Sequence, residues 1–313
     1  MTSRDSNKCD SVNGLLLLDK PAGLTSNAAL SRAKRQLLAS KGGHTGSLDP
    51  IATGLLLLCF GKTTRIAGML LECDKTYRTV FRLGESTETG DSEGRVIART
   101  PIDFGVQDIE RTLEGFRGRI QQVPPMYSAI KKDGKPLYRL ARQNLDVERA
   151  PRDVTVHRLE ILDFKDSLLS LSLACSKGFY VRSLAMDLGR ILGCGGHVQA
   201  LRRESIGRFR VKDAITLDEL AEMDTPEQRQ EKLIPTDRAL DHLPRFEIPD
   251  EIVSPFCQGQ TVPSAGSGWD GLGRIYSSEG NFLGLGEWDG SGKICPRKVF
   301  APNPSSAQAV GKR

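Results

Sequence analysis

The 313-residue chain lacks long apolar runs, paired cysteines and the common cofactor motifs, and each lack removes a class of protein. No window approaches the ~18 consecutive apolar residues of a membrane helix. The longest runs, Leu15–Leu18 and Leu55–Phe60, have strand length. The first thirteen residues, MTSRDSNKCDSVN, contain Asp5 and Asp10 and no apolar stretch, unlike a secretory signal or an acid-poor transit peptide. The seven cysteines, at 9, 59, 73, 175, 194, 257 and 295, are odd in number and form no C-x-x-C pair. A reduced, cytoplasmic protein is expected, not a disulfide scaffold.

Gly61-Lys62-Thr63 resembles the end of a phosphate-binding loop, but the glycine required five residues before Gly61 is Leu56, within an apolar run. Cys194 and His197 form a lone C-x-x-H without a second pair, which suits a core or loop role better than a metal. There is no G-x-S-x-G elbow to support a hydrolase.

What is present suits a globular protein: 38% hydrophobic and 27% charged residues, and a length that is a soft prior for two domains. The net charge of +5 conceals a strong partition. Residues 111–152 hold ten basic against four acidic residues, 176–212 eight against two, and 213–251 four against twelve. The two basic blocks would attract a polyanion such as RNA, although charge runs also form plain solvated faces. If RNA is the partner, both blocks are expected to face it and the acidic segment to lie away.

Gly14–Asp19 reads as a buried strand ended by Lys20-Pro21-Ala22-Gly23. Ser26 is placed to cap a helix through about Leu38, and further helices are expected near Thr64–Leu71, Val106–Phe116 and Tyr180–Leu192. Strands are expected at Leu55–Phe60, at Thr76–Leu83 from its alternation, and at Val154–Phe164 and Leu168–Cys175. Polar Glu85–Arg95 reads as an exposed loop, and 213–251 as largely helical. After Val253, glycine-rich turns separate short strands, Gly273–Ser277, Phe282–Trp288 and Ile294–Phe300, in a small β domain. No internal repeat is visible.

In the loop Gly46-Ser47-Leu48-Asp49-Pro50, the Asp-Pro step can present a carboxylate at a sharp turn, and by itself equally suits an Asx-type turn. The surrounding text distinguishes these. GHTGSLDPIATGLL (43–56), KTYR (75–78) and CSKGFYVRSLAMDLG (175–189) closely resemble three signature segments of the TruB family of tRNA pseudouridine synthases. The resemblance continues through LLLLDKPAGLTSN (15–27), VPPMYSAIKKDGKPLYRLAR (123–142), LGCGGHVQALRR (192–203) and GRIYSSEGNFLGLGEW (273–288).

This resemblance implies an α+β (mixed α/β) fold: a pseudouridine synthase catalytic domain with a central antiparallel sheet flanked by helices, plus a small C-terminal PUA-like RNA-binding β domain. The implied division is a flexible 1–12, a catalytic domain at 13–250 with an RNA-binding insertion at about 120–150, the PUA-like domain at 251–302 and a disordered tail at 303–313. The implied activity is isomerisation of uridine-55 in the T loop of tRNA, by tRNA numbering, to pseudouridine. Asp49 falls on the family's catalytic aspartate (the nucleophile), Tyr77 on its active-site tyrosine and Arg182 on the arginine that pairs with the aspartate. His44, Tyr180 and Leu201 match positions that contact the RNA or the flipped uridine, and Lys20 matches the lysine of the first motif.

The chemistry suits these residue types. Breaking C1′–N1 and joining C1′ to C5 involves no net redox change and needs no metal or organic cofactor in principle. It needs an anion beside an electron-poor carbon, C1′ or C6, as carboxylates provide in glycosidases. Burial under a nucleobase would raise the pKa of Asp49, and a nearby Arg182 guanidinium would oppose that. Without the resemblance, Arg182 would read as a phosphate ligand, Tyr77 as core and His44 as a loop histidine bonded to backbone. Tyr77 offers an aromatic face and a hydroxyl able to take a proton from C5, and His44 could stack against the extruded nucleotide. Lys131, Lys132, Lys135, Arg139 and Arg142, interleaved with Tyr127 and Tyr138, suit contacts to a folded RNA arm.

A monomer acting on the T arm of tRNA is expected, with no membrane and no obligate protein or guide-RNA partner. The alternatives are an RNA-binding, tRNA-folding chaperone with secondary isomerase activity, and the related catalytic subunit of guide-RNA particles. The intact 123–142 block and the lack of lysine-rich tails speak against the latter.

Overall fold

The computed structural model describes residues 12–300 apart from 129, 133, 142, 144, 146 and 265–267, with backbone alone at 131, 132, 136 and 138. The tails expected at 1–12 and 303–313 lie outside the described residues, Val12 excepted.

The chain opens with β1 (Gly14–Lys20), α1 (Ser26–Gln36), β2 (Gly42–His44) and β3 (Thr53–Phe60). Nearly every residue of β1 and β3 is buried, because the two leucine runs feed two cores at once. Leu16, Leu18, Leu56 and Leu58 pack under α1 with Ala29 and Ala33, while Leu15, Leu17, Leu55 and Leu57 meet Ile66, Leu70 and Leu240 on the other face. A strand covered on both sides reads as a continuous apolar run, as here. The cap of α1 is Thr25, whose hydroxyl accepts from the Ala28 N–H, rather than Ser26, whose hydroxyl is engaged by Leu48.

A 3₁₀ turn at Gly61–Ile66 leads into α2 (Ala67–Leu71) and β4 (Lys75–Leu83). β4 buries Tyr77, Thr79, Phe81 and Leu83 and leaves Arg78 exposed, as its alternation predicts. The polar stretch that follows is not an exposed loop. It forms β5 (Glu85–Thr87) and β6 (Val96–Arg99), with Thr87 buried on β5 and Gly90 and Asp91 buried in the segment 88–95 between them. Polar composition misleads here because Asp91 is satisfied by the Thr89 hydroxyl and the Glu93 N–H.

α3 (Val106–Glu114) and β7 (Gly118–Gln122) come next, then the hairpin of β8 (Lys131–Lys132) and β9 (Lys135–Pro136), and α4 (Leu137–Ala141). β10 (Arg152–Lys165), β11 (Leu168–Cys175), α5 (Val181–Ile191), β12 (Gly196–Ile206) and β13 (Phe209–Arg210) complete the first body. The central sheet runs β1-β3-β12-β4-β11-β10-β7, with β2 and β13 on its sides. It is mixed rather than wholly antiparallel: β3 and β12 pair in parallel at Thr53–Arg202 and Gly54–Arg203. That junction requires glycine, since a Cβ on Gly54, at φ +99°, would lie 2.3 Å from the Arg203 carbonyl oxygen. Among the described residues no helix is long and apolar enough to cross a membrane.

The acidic segment is only partly helical, in the short α6 (Leu217–Glu222) and α7 (Pro226–Gln230). The rest runs extended because it closes the open edge of β1: Ile234 exchanges two hydrogen bonds with Leu15, and Ile215 bonds Leu17 and Asp19. It therefore covers the β1 edge, while the basic block follows β7 at the other edge.

The second sheet has the order β14-β16-β17-β18-β15: β14 (Arg245–Ile248), β15 (Val262–Pro263), β16 (Leu272–Ser277), β17 (Phe282–Trp288) and β18 (Lys293–Val299), with α8 (Asp250–Cys257) packed against it. β14 precedes the compositional change near Val253 and pairs with β16 in parallel.

Candidate active site

The loop 45–52 carries Asp49 at the meeting of β3, β4, β12 and α5, and the chain holds it from three sides. From below, the Ser26 hydroxyl accepts from the Leu48 N–H at 2.7 Å and donates to the Leu48 carbonyl at 3.1 Å. From β12, Arg203 donates to the carbonyls of Gly46 (3.1 Å), Ser47 (3.4 Å) and Leu55 (2.7 Å). From β1, the Lys20 ammonium donates to the carbonyls of Pro21 (2.8 Å), Leu24 (2.7 Å) and Pro50 (3.4 Å).

Arg182 occupies the first turn of α5 and grips the Asp49 carboxylate with two bonds, Nε to Oδ2 at 2.9 Å and Nη2 to Oδ1 at 3.0 Å. Its other donors reach the Thr89 carbonyl at 3.1 Å and the Tyr127 carbonyl at 2.7 Å, and the Asp91 carboxylate lies 3.7 Å away. The Arg182 side chain is 5% exposed whereas the Asp49 side chain keeps 35% of its surface, so the aspartate is the more accessible member of the pair.

Burial pushes the Asp49 carboxyl above its ordinary value, and Asp91 adds to this, while the charge and hydrogen bonds of Arg182 and the charge of Lys20 pull it down. Arg182 sits where the sequence places it, yet burial outweighs it. Tyr77 and Leu201 are each 8% exposed and share a core cluster with Leu48 and Val181. Burial raises the Tyr77 phenol, and a charge and hydrogen bond from Arg203 oppose this. Tyr180 stands at the N-cap of α5, where Gln122 fixes it by accepting from its N–H at 2.7 Å and donating to its carbonyl at 3.0 Å. Burial also raises the Tyr180 phenol, with Asp49 among its charged neighbours.

His44, half-buried on β2, is kept below its ordinary imidazole value by burial and by the Arg203 charge. A neutral ring suits stacking better than ion pairing. The Lys20 side chain is buried and its ammonium donates to three backbone carbonyls, that of Pro50 beside Asp49 among them, so it braces the loop. Burial lowers its pKa to about 8. Lys135 and Arg139 are exposed on the segment beyond Ser128; the side chains of Lys131 and Lys132, and all of Arg142, lie outside the described residues.

Sequence reasoning did not single out Arg203, Asp91, Ser26 as a loop brace, or Gln122. Arg203 does fall in the LGCGGHVQALRR segment and in a basic block, but nothing local separates it from a phosphate-binding arginine. Asp91 was hidden in a stretch whose polarity resembles that of solvent-exposed loops.

Comparison with known proteins identifies the family. Residues 34–181 match the N-terminal domain model of TruB family pseudouridylate synthases, 182–242 a tRNA pseudouridylate synthase B C-terminal domain, and 244–300 a pseudouridine synthase II TruB C-terminal model. The chain is 50% identical over 298 residues to a tRNA pseudouridine synthase B of Aromatoleum aromaticum, covering 95% of this chain and 96% of that one. It is 46% identical over 293 residues to the protein of that name in Pseudomonas aeruginosa, covering 93% and 96%. Among solved structures, a chain of a Cbf5-Nop10-Gar1 complex superposes with a TM-score of 0.69 at 27% identity, covering 93% of this chain and 85% of that one. With this match along nearly its whole length, the chain belongs to the TruB family of pseudouridine synthases.

Proposed function

We propose that the protein isomerises uridine-55 in the T loop of tRNA to pseudouridine, with Asp49 as the reacting carboxylate. The observation that carries this is the Asp49–Arg182 pair, in which the arginine side chain is buried and the aspartate side chain is only partly so. The extruded uridine stacks against Tyr77 and Leu201, His44 and Tyr180 contact the flipped nucleotide, and Asp49 acts on C1′ or C6. The N1–C1′ bond breaks, the base turns, C5 joins C1′, C5 loses its proton and N1 gains one. Tyr77 takes the C5 proton in its phenolate form, which the Arg203 charge favours against burial, and passes it to solvent. Lys131, Lys132, Lys135, Arg139 and Arg142 bind the RNA arm, with 13–250 as the catalytic unit and 251–302 as a PUA-like RNA-binding unit.

Several features support the reading. Relatives at 46–50% identity bear the name tRNA pseudouridine synthase B. The basic block leaves from β7, and the acidic segment covers the far edge of the sheet. We further propose a cytoplasmic monomer that needs neither a guide RNA nor a protein partner. The test is tritium release from tRNA labelled at uridine C5. Purified protein should release it, Asp49→Ala should not, and tRNA carrying cytidine at position 55 should give none above background. Full retention of label with the wild-type protein overturns the reading.

The exposed basic side chains of Lys135 and Arg139 also favour a second role, in opening and refolding the tRNA arm. Asp49→Asn should then abolish modification and leave tRNA refolding intact.

A further inference from the structure

Arg203 is the largest fully buried side chain among the described residues, at 1% exposure, and no carboxylate pairs with it there. A buried cation without a counter-ion is costly, so its retention calls for a role. It cannot be a phosphate ligand, because it has no surface to offer RNA. Its donors are instead spent on the carbonyls of Gly46 and Ser47 in the Asp49 loop and of Leu55 on β3, and the β12–β4 register sets it directly opposite Tyr77. Two irregularities in β12, at 198/200 and 203/205, bracket this stretch. Bulges re-aim side chains, and here Leu201 and Arg203 both face the interior beside Tyr77.

We propose that Arg203 is a positioning residue for the isomerisation: it locks the Gly46–Ser47 turn that carries Asp49 to β3 and sets its charge beside Tyr77 on the neighbouring strand. The inference rests on the reading of Asp49 as the reacting group. A planar fork with several fixed donors spans two consecutive loop carbonyls and a strand carbonyl at once, a geometry that the single ammonium of lysine does not reproduce. The same charge adds to burial in lowering the His44 imidazole and opposes burial at the Tyr77 phenol.

Arg203→Lys and Arg203→Gln test this, each assayed below its own melting temperature, with Gln retaining an N–H donor should Lys fail to fold. The expected result is a ~10- to 100-fold fall in the single-turnover rate of pseudouridine formation, as small misplacements of reacting groups produce. The Kd for tRNA should stay within threefold, and the Tyr77 ¹³Cζ resonance, assigned by its loss in Tyr77→Phe, should move at neutral pH. A turnover rate within threefold of wild type, a loss that appears wholly in Kd, or an unmoved Tyr77 resonance overturns the proposal. If the wild-type protein itself forms no pseudouridine, the functional reading fails instead, and the Tyr77 resonance still reports on Arg203.

Discussion

Ser26 and Leu48 exchange two hydrogen bonds, the serine hydroxyl accepting from the leucine N–H and donating to its carbonyl. Both groups are buried, so Ser26→Ala leaves the Leu48 N–H and carbonyl without their partner. The expected loss is about 2 kcal/mol of stability in urea unfolding, in the range for an orphaned buried polar group. Turnover should fall with it, since Leu48 precedes Asp49, while tRNA affinity should hold. Unchanged unfolding and unchanged turnover would show that the loop is held by other means.

Arg182 serves Asp49, Thr89 and Tyr127 together. Arg182→Lys keeps a charge but not the fork, and should lower the turnover rate by about 100-fold. Arg182→Met should in addition destabilise the fold by about 2–3 kcal/mol, somewhat below the usual figure for a broken buried pair because the Asp49 side chain keeps part of its surface. Thermal unfolding of the two variants separates these effects.

The raised Asp49 carboxyl makes a signed prediction about pH. Between its ordinary value and its raised value the folded state binds more protons than the unfolded state, so this group lowers stability as pH rises through that window. Asp49→Asn should remove that contribution, giving a flatter stability profile across the acid range. The acid limb of wild-type activity should lie above the ordinary carboxylate value. An identical profile in the variant would count against a strained Asp49.

Lys20 gives the opposite sign at high pH. Its value is about 8 in the folded protein against 10.5 when free, so between them the unfolded state binds more protons and this group adds stability as pH rises. Lys20→Met should abolish that rise, and should reduce turnover by releasing Pro50 beside Asp49. Unfolding followed from pH 7 to 10 checks the first point.

The parts legible in the sequence were those carried by local pattern. Alternation placed Tyr77 on the inner face of β4, and leucine runs marked β1 and β3 as deeply buried. Asp49 and Arg182 were found through motif resemblance, since neither an Asp-Pro turn nor an arginine in a basic block identifies itself. Contacts between distant residues were illegible. Asp91 looked like a loop residue because its burial depends on Arg182 and the Val198 strand, and Ser26 looked like a helix cap because Leu48 competes for its hydroxyl. Lys20 matched a motif, but only packing revealed that its ammonium is consumed by the backbone.

The parallel pairing of β3 with β12 also has a kinetic consequence. The Asp49 loop is braced by Ser26, 22 residues from Leu48, but also by Arg203, 156 residues from Ser47. On the ribosome, the N-terminal third of the protein can form β1, α1 and β3 and yet have no finished catalytic pocket, because the strand that inserts between β3 and β4 is synthesised much later. Contacts so far apart in sequence slow folding. Reactivity should therefore emerge late in refolding, after most of the secondary structure has formed.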